Sequence, residues 1–479
     1  MRKFAIRGLK ALVAVTVWSS LTAWCEEEQG RLTWHASPRA LAEGAVITDW
    51  PRFLGATDNA ATSERPLLKD WGEDGPALLW ELERGEGYAS PVISGDRLVL
   101  FHRAAGNERI ECRNVLNGEA LWDYAYPVDY RDRYGYQNGP RGSPVIDGDR
   151  VFTLGVTSRI SCLSLSTGEL FWERDLQAEM SIRSSFFGAG SSPLIWGNQV
   201  VVMIGAERGP CVVGLEKETG KHLWGAEETW GASYASPQAM GDKILVFCGG
   251  ESRPPQGGLI AIDPALAGKV IGRFPWRGEN YESVNASSPV ILSGDRVFVT
   301  QCYEGGGGVL LQLTEDGFSE IWKNEDLGAH WMNPVLDAAG ETLFLIDGRN
   351  QQNARLVAVD LDSGKELWDE VILWQDIVDG RPYNLGIQRA SLLQADGATL
   401  CLGELGSLLW LQLDRDGAKV LARHQPFLAP QSWTLPALSQ GLLFLMQNEE
   451  DHLTGAGPRL RCYDLRGSGE QLTKPTLPR

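Results

Sequence analysis

One unit recurs along almost the whole chain: it opens on Ser-Pro-Val, passes a tight Gly-Asp-Arg turn, crosses two apolar stretches and closes on Thr-Gly-x-x-x-Trp. A chain made of such copies is not a string of independent domains. One copy has no core of its own and must bury both faces against its neighbours. The openings are Ser90-Pro91-Val92, Ser143-Pro144-Val145, Ser192-Pro193-Leu194, Ser236-Pro237, Ser288-Pro289-Val290, Asn333-Pro334-Val335, a degenerate Ser391-Leu392-Leu393, and Leu435-Pro436-Ala437, eight in all.

Within the unit, the first turn uses residues that tolerate positive φ, as in Gly95-Asp96, Gly148-Asp149, Gly197-Asn198, Gly241-Asp242, Gly294-Asp295 and Asp396-Gly397. Runs such as 150–154, 199–204 and 243–247 are short, apolar and β-branched or aromatic, as strands covered on both faces must be. The closing Trp follows its Gly at Trp122, Trp172, Trp224 and Trp368, and more loosely at Trp322. Two units break the rule: Gly268 is followed by Gly272, and Gly417 by Leu421. With 55 Gly, 24 Pro and only 22% charged residues in 479, the composition suits many short strands and tight turns. The expected fold is all-β: an eight-bladed β-propeller of four-stranded antiparallel blades, because only a closed ring gives every blade two neighbours.

The eighth unit, from Thr434 to Leu465, has three strands and ends before reaching a Trp. Residues 76–83, with Trp80, have the content of a fourth strand without a unit of their own. The N-terminal strand is therefore expected to complete the last blade. The expected division is a signal peptide at 1–25, a lead-in at 26–75, the propeller at 76–465 and a tail at 466–479.

The start of the chain reads as an export signal. Arg2, Lys3, Arg7 and Lys10 form a basic head, and an apolar stretch ends in the small residues near Ala23. Cleavage near Ala23 or Cys25 is expected, with lipidation of Cys25 as the alternative, although Trp24 fits the lipoprotein pattern poorly. The mature protein is expected in the periplasm or secreted, with no transmembrane segment. A net charge of −18, more negative still once the basic head is removed, argues against nucleic acid as a partner.

With the repeat, turns and closing Trp residues in view, the chain resembles the quinoprotein (PQQ-like) propeller repeat proteins, which include quinoprotein alcohol dehydrogenases and BamB-like outer-membrane assembly factors. The resemblance spans residues 76–465. It implies that Trp80, Trp122, Trp172, Trp224, Trp322 and Trp368 dock between neighbouring blades, and that 50–55 is the lead-in of exported members. A dehydrogenase of this type needs the quinone, a Ca²⁺ held by oxygen ligands and a carboxylate base, and family enzymes often carry two adjacent cysteines. No two cysteines here are consecutive, and Glu282 is the nearest rim carboxylate.

The residues two places before each opening should ring one mouth of the channel: Tyr88, Arg141, Gly190, Tyr234, Ala286, Trp331, Arg389 and Trp433. Loops leading there add Tyr134, Tyr136, Asn138, Arg183, Phe186, Phe187, Trp230, Tyr281, Asn285, His330, Asn333, Tyr383, Asn384 and Gln388. Of these, Tyr88, Arg141, Tyr234, Asn285, His330, Trp331, Asn333, Arg389 and Trp433 are the candidate ligand-binding set. Flat aromatics with Arg and amides suit a planar, sugar-like or carboxylate ligand; the bland alternative is that any propeller mouth must be lined by something. The six histidines form no metal-type pair, and no metal site or catalytic residue is assigned. Cys112 and Cys162 stand ten residues before their closing Trp, where another unit has Ala358, and Cys462 matches them, so the cysteines read as small buried filler. Gly305 to Gly308 reads as a hairpin, and Asp360 to Gly364 as the recurrent last turn rather than a calcium loop. The expected function is a non-catalytic binding or scaffold module of the cell envelope, with a protein, peptide or glycan partner and no cofactor. The alternative is a PQQ- and Ca-dependent oxidoreductase. The tyrosine-rich connection between Trp122 and Ser143 is the first partner site to test.

Overall fold

The structure, a computed structural model, describes residues 30–468 apart from 73, 183, 184 and 379. The signal peptide and Cys25, Arg183 and most of the C-terminal tail lie outside the described residues. The repeat folds as an eight-bladed β-propeller of antiparallel four-stranded blades. Blade 1 spans 92–127, blade 2 145–175, blade 3 194–225, blade 4 238–275, blade 5 290–324, blade 6 335–370 and blade 7 391–424. Blade 8 combines Ala437–Ser439, Leu442–Gln447 and Arg459–Asp464 with the N-terminal Ala77–Glu83. That last strand pairs antiparallel with Arg459–Asp464, placing Trp80 opposite Cys462, as the expected seam requires.

The opening Ser of the repeat has a specific task. Its hydroxyl accepts the backbone N–H of the Ser that opens the preceding blade. Ser90 N donates to Ser143 Oγ (2.9 Å), Ser143 N to Ser192 Oγ (2.9 Å), Ser192 N to Ser236 Oγ (3.0 Å) and Ser236 N to Ser288 Oγ (3.0 Å). The first strands around the axis do not pair with one another, so these hydroxyls satisfy donors that would otherwise be buried and unpaired.

The closing Gly and Trp also work between blades. A Cβ on Gly168 would lie 2.7 Å from Trp122, and one on Gly220 2.5 Å from Trp172; Gly118, Gly268 and Gly364 are covered in the same way by Trp80, Trp224 and Trp322. Each indole thus lies flat on the last turn of the next blade. Trp122, Trp172, Trp322 and Trp368 then donate Nε1–H to a carbonyl in that blade, those of Leu165, Lys217, Leu361 and Asp414, at 2.8–3.0 Å. Trp224 differs, donating to Gln199 of its own blade (2.6 Å).

The two irregular blades are resolved differently. In blade 4, Gly272 and Gly317 let the outer strands of blades 4 and 5 approach with no side chain between them, and Trp276 stacks inward on Phe247. In blade 7 the register corrects the expectation at Leu421. A bulge makes Ala422 the counterpart of the closing Trp, and it faces Trp410 on the neighbouring strand. The indole has moved across the strand pair. Trp410 and Trp71 of the lead-in lie 6.3 Å apart and both donate to Leu68 O (3.0 Å), while Leu68 N donates to Leu465 O of blade 8 (2.8 Å). The lead-in fills the seam that blade 7 leaves open.

The rest of the lead-in covers one end of the axis. Leu32–Trp34 forms a fifth, outer strand on blade 8. Trp50, fully buried, exchanges two backbone hydrogen bonds with Ile93 of blade 1, and Ile146 of blade 2 donates to Pro51 O. Ser439 of blade 8 donates to Thr48 O, and Ala61–Thr62 pairs in parallel with Ser391–Ala395 of blade 7. All four contacts fall toward the C-terminal ends of first strands, opposite the mouth where those strands begin. A two-stranded hairpin, Leu373–Val378 with Arg381–Gly386, is inserted between blades 6 and 7.

Candidate functional site

A cavity of about 580 Å³ occupies the mouth of the channel. All eight residues that stand two places before an opening line it, from Tyr88 round to Trp433. The reason is geometric: each stands two to four residues before a first strand, and eight first strands converge on the axis. Tyr134, Tyr136, Phe186, Phe187 and His330 join them from the connecting loops, and Phe53 of the lead-in reaches it from the closed end.

The aromatic groups form a nearly continuous belt. Tyr88 stacks on Trp433 (centroids 5.6 Å apart), Trp433 meets Trp331 (4.8 Å) and Tyr136 (5.7 Å), Tyr136 meets Phe187 (5.6 Å), and Phe187 meets Tyr234 (5.5 Å). Burial pushes the phenols of Tyr88, Tyr234 and Tyr303 upward, so all three stay protonated. Tyr88 donates to Gln431, and Phe187 N donates to Tyr234 Oη (2.8 Å).

Both rim arginines are spent on buried carboxylates. Arg141 Nη2 lies 2.9 Å from Asp132 Oδ2, and Arg389 Nε 2.9 Å from Glu404 Oε2. Glu404 also accepts Trp433 Nε1–H at 2.9 Å. Arg389 then lies over the rings of Trp331 (4.6 Å) and Trp433 (5.1 Å), so it stiffens the wall. Arg349 lies over Tyr303 (4.6 Å). His330 Nε2 is 2.8 Å from Tyr303 Oη; burial, then Arg389 and Arg349, lower its pKa to about 3, so the ring is neutral at working pH.

Two of the candidate residues are placed elsewhere. Asn285 is fully buried behind the wall, where its Nδ2 donates to Cys248 O (2.6 Å) and its backbone carbonyl accepts from Tyr234 N. Asn333 does not line the cavity either; its Nδ2 reaches Ser288 O at 3.3 Å, taking part in the inter-blade belt at a position where six of the other openings carry Ser. Asn138 braces the tyrosine-rich loop, accepting from Asp132 N and donating to Glu86. Tyr383 and Asn384 belong to the inserted hairpin. Sequence reasoning missed Phe53, Tyr303 and Arg349, which carry no repeat mark, and the carboxylates Asp132 and Glu404. The rim arginines themselves were the one available signal for those acids, since a buried guanidinium demands a counter-charge.

The residues present were tested against the quinone and calcium chemistry of the dehydrogenases. Among the described residues no three His, Cys, Asp or Glu side chains are gathered for a metal. Asp132 and Glu404 are held by arginines, and Glu282 stands exposed at the cavity edge. This donor set does not fit.

A family model described as outer membrane protein assembly factor BamB matches residues 117–370, just over half of the chain. The chain belongs to the BamB-like family of PQQ-repeat propellers. The BamB of Shewanella oneidensis is 22% identical over 305 residues, 62% of this chain and 67% of that one. The BamB of Xanthomonas campestris pv. campestris is 24% identical over 175 residues, 36% of this chain and 38% of its own length. Among solved structures, quinohemoprotein alcohol dehydrogenase from Comamonas testosteroni superposes with a TM-score of 0.62 at 12% identity, covering 90% of this chain and 82% of that one. BamB from Moraxella catarrhalis gives 0.52 at 12% identity, covering 82% and 99%. At such identities the structural likeness concerns the fold alone, and a BamB-like ring and a dehydrogenase ring share it.

Proposed function

We propose that the protein is an exported, non-catalytic propeller of the cell envelope that takes a protein, peptide or glycan partner at its aromatic mouth. The observation that carries this reading is the rim itself. Its aromatic belt offers a stacking surface, while Arg141 and Arg389 are each paired with a buried carboxylate, so neither Asp132 nor Glu404 is held ready as a base. The family membership supports an assembly role, and the basic head and apolar stretch at the start of the sequence support export.

A photo-crosslinking residue placed at Tyr136, which is 37% exposed beside the cavity, tests the reading in the producing cell. A discrete adduct is expected from Tyr136 and not from Leu421 on the outer edge. Adding PQQ and Ca²⁺ to the purified protein should give neither a bound chromophore nor dye-linked alcohol oxidation. Dye-linked oxidation would make the ring an enzyme, and a bound chromophore alone would give the mouth a cofactor in place of a macromolecular partner. No helix among the described residues is long and apolar enough to cross a membrane. From the basic head and apolar stretch at the start of the sequence, fractionation is expected to find the protein outside the cytoplasm.

A further inference from the structure

Cys112, Cys162 and Cys462, expected to be small buried filler, are buried in separate blades, each directly opposite a Trp. Two others are arranged differently. Cys211 precedes the third strand of blade 3, and Cys248 ends the second strand of blade 4. Both are fully buried, and their Sγ atoms are 3.4 Å apart. Two side chains from different blades have been brought to sulfur contact.

The surrounding packing gives this contact a task. Blade 4 lacks a closing Trp, and Trp224 of blade 3 turns its indole N–H back to Gln199 instead of donating it to blade 4. The interface between blades 3 and 4 therefore lacks the indole-to-carbonyl bond that ties blades 1 to 2, 2 to 3, 5 to 6 and 6 to 7. Cys248 is also held in place from behind, because Asn285 Nδ2 donates to its carbonyl.

We infer that Cys211 and Cys248 form a disulfide that staples blade 3 to blade 4. The assignment rests on the proposed export, since a thiol pair is kept reduced in the cytosol. The two thiols lose two protons and two electrons, and the electrons pass to an oxidised disulfide, which leaves as two thiols. One thiolate first attacks that donor disulfide to give a mixed disulfide. The second thiolate then attacks the partner cysteine's own Sγ in that mixed disulfide, forming the Cys211–Cys248 bond and expelling the donor's remaining half as its thiol. In the closed ring burial drives the Cys248 thiol well above its usual range, with Cys211 beside it adding to the rise, so the exchange belongs to folding, before the blades close.

The full chain, purified reduced and unfolded, is refolded with oxidised and reduced glutathione, alkylated in denaturant without reductant, and digested. The expected product is a peptide pair linked through Cys211 and Cys248 and lighter by two hydrogens than the sum of its halves, with Cys112, Cys162 and Cys462 alkylated. In Cys248→Ser, Cys211 becomes alkylated, and the melting point becomes insensitive to reductant, unlike that of the parent chain. Full alkylation of both cysteines in refolded parent protein, or a link between another pair, overturns the inference. The same digest on protein recovered from the producing cell separates the two readings: linkage in the refolded sample with free thiols in the cell refutes export and leaves the pairing standing.

Discussion

Replacing Trp71 by Ala tests whether the lead-in belongs to the ring or merely lies on it. Trp71 is 6% exposed, packs 6.3 Å from Trp410, and stands in the seam where blade 7 has no closing indole. Truncating a buried Trp costs about 4 kcal/mol through lost transfer energy and the cavity left behind. With an unfolding entropy near 2.1 cal/mol/K per residue over roughly 400 ordered residues, that cost lowers the melting temperature by about 5 °C. Trp34, on the outer strand of the same lead-in, is 56% exposed and serves as the control; its truncation should cost no more than about 0.5 kcal/mol. Calorimetry of both variants measures the difference. Because the two indoles touch and share the Leu68 carbonyl, Trp71→Ala combined with Trp410→Ala should depart from additivity by about 1 kcal/mol. Equal melting shifts for Trp71→Ala and Trp34→Ala would refute the claim that the lead-in replaces the missing Trp.

Other perturbations probe the belt, the turns and the mouth. Deleting residues 75–85 removes the strand that completes blade 8 and should abolish a single cooperative unfolding transition. Gly168→Val drives a side chain into Trp122 at a φ of +74° and should cost about 3 kcal/mol, whereas Gly148→Ala, with open space around it, should cost about 1–2 kcal/mol from backbone strain alone; urea titration distinguishes them. Arg389→Ala strands Glu404, which is 1% exposed, and should cost about 3–5 kcal/mol, part of it recovered in Arg389→Ala with Glu404→Gln. His330, whose pKa falls from 6.5 unfolded to about 3 in the fold, contributes stability that is present above pH 6.5 and lost as the pH falls toward 3. His330→Gln should therefore flatten the acid limb of the urea midpoint over that window by about 1.4 kcal/mol per pH unit.

The ring and its seam were legible because repetition turns weak local signals into strong ones: Ser-Pro, Gly-Asp and Gly-x-x-x-Trp each mark the same place in successive blades. The eight rim positions were legible for the same reason, since a fixed offset from each opening lands on the axis. What lay outside the repeat was not. Phe53 and Trp71 sit in a lead-in whose partners are in blades 1, 2, 7 and 8, and nothing local in that stretch names them. The exchange of Trp410 for Ala422 depends on a bulge, and counting from Gly417 cannot detect an extra residue. Asn285 and Asn333 show the opposite limit. Their chain positions were right, but an amide beside a channel can turn to face the backbone, and both did. The Cys211 and Cys248 contact joins two blades through residues with no shared spacing from a turn.

The seam described for blade 8 also sets an order of events during synthesis. Blades 1 to 6 can stack as they emerge, each on the one before it. Residues 77–83, made early, have their inner strand partner in Arg459–Asp464 and lack it until almost the whole chain exists, and residues 32–34, paired only with 80–82, reach the ring through that strand. A premature stop anywhere after blade 6 therefore leaves both ends unfastened at once, and pairing across so long a stretch makes closure the slow step of folding. The clasp is sewn into the first cloth and fastened by the last stitch.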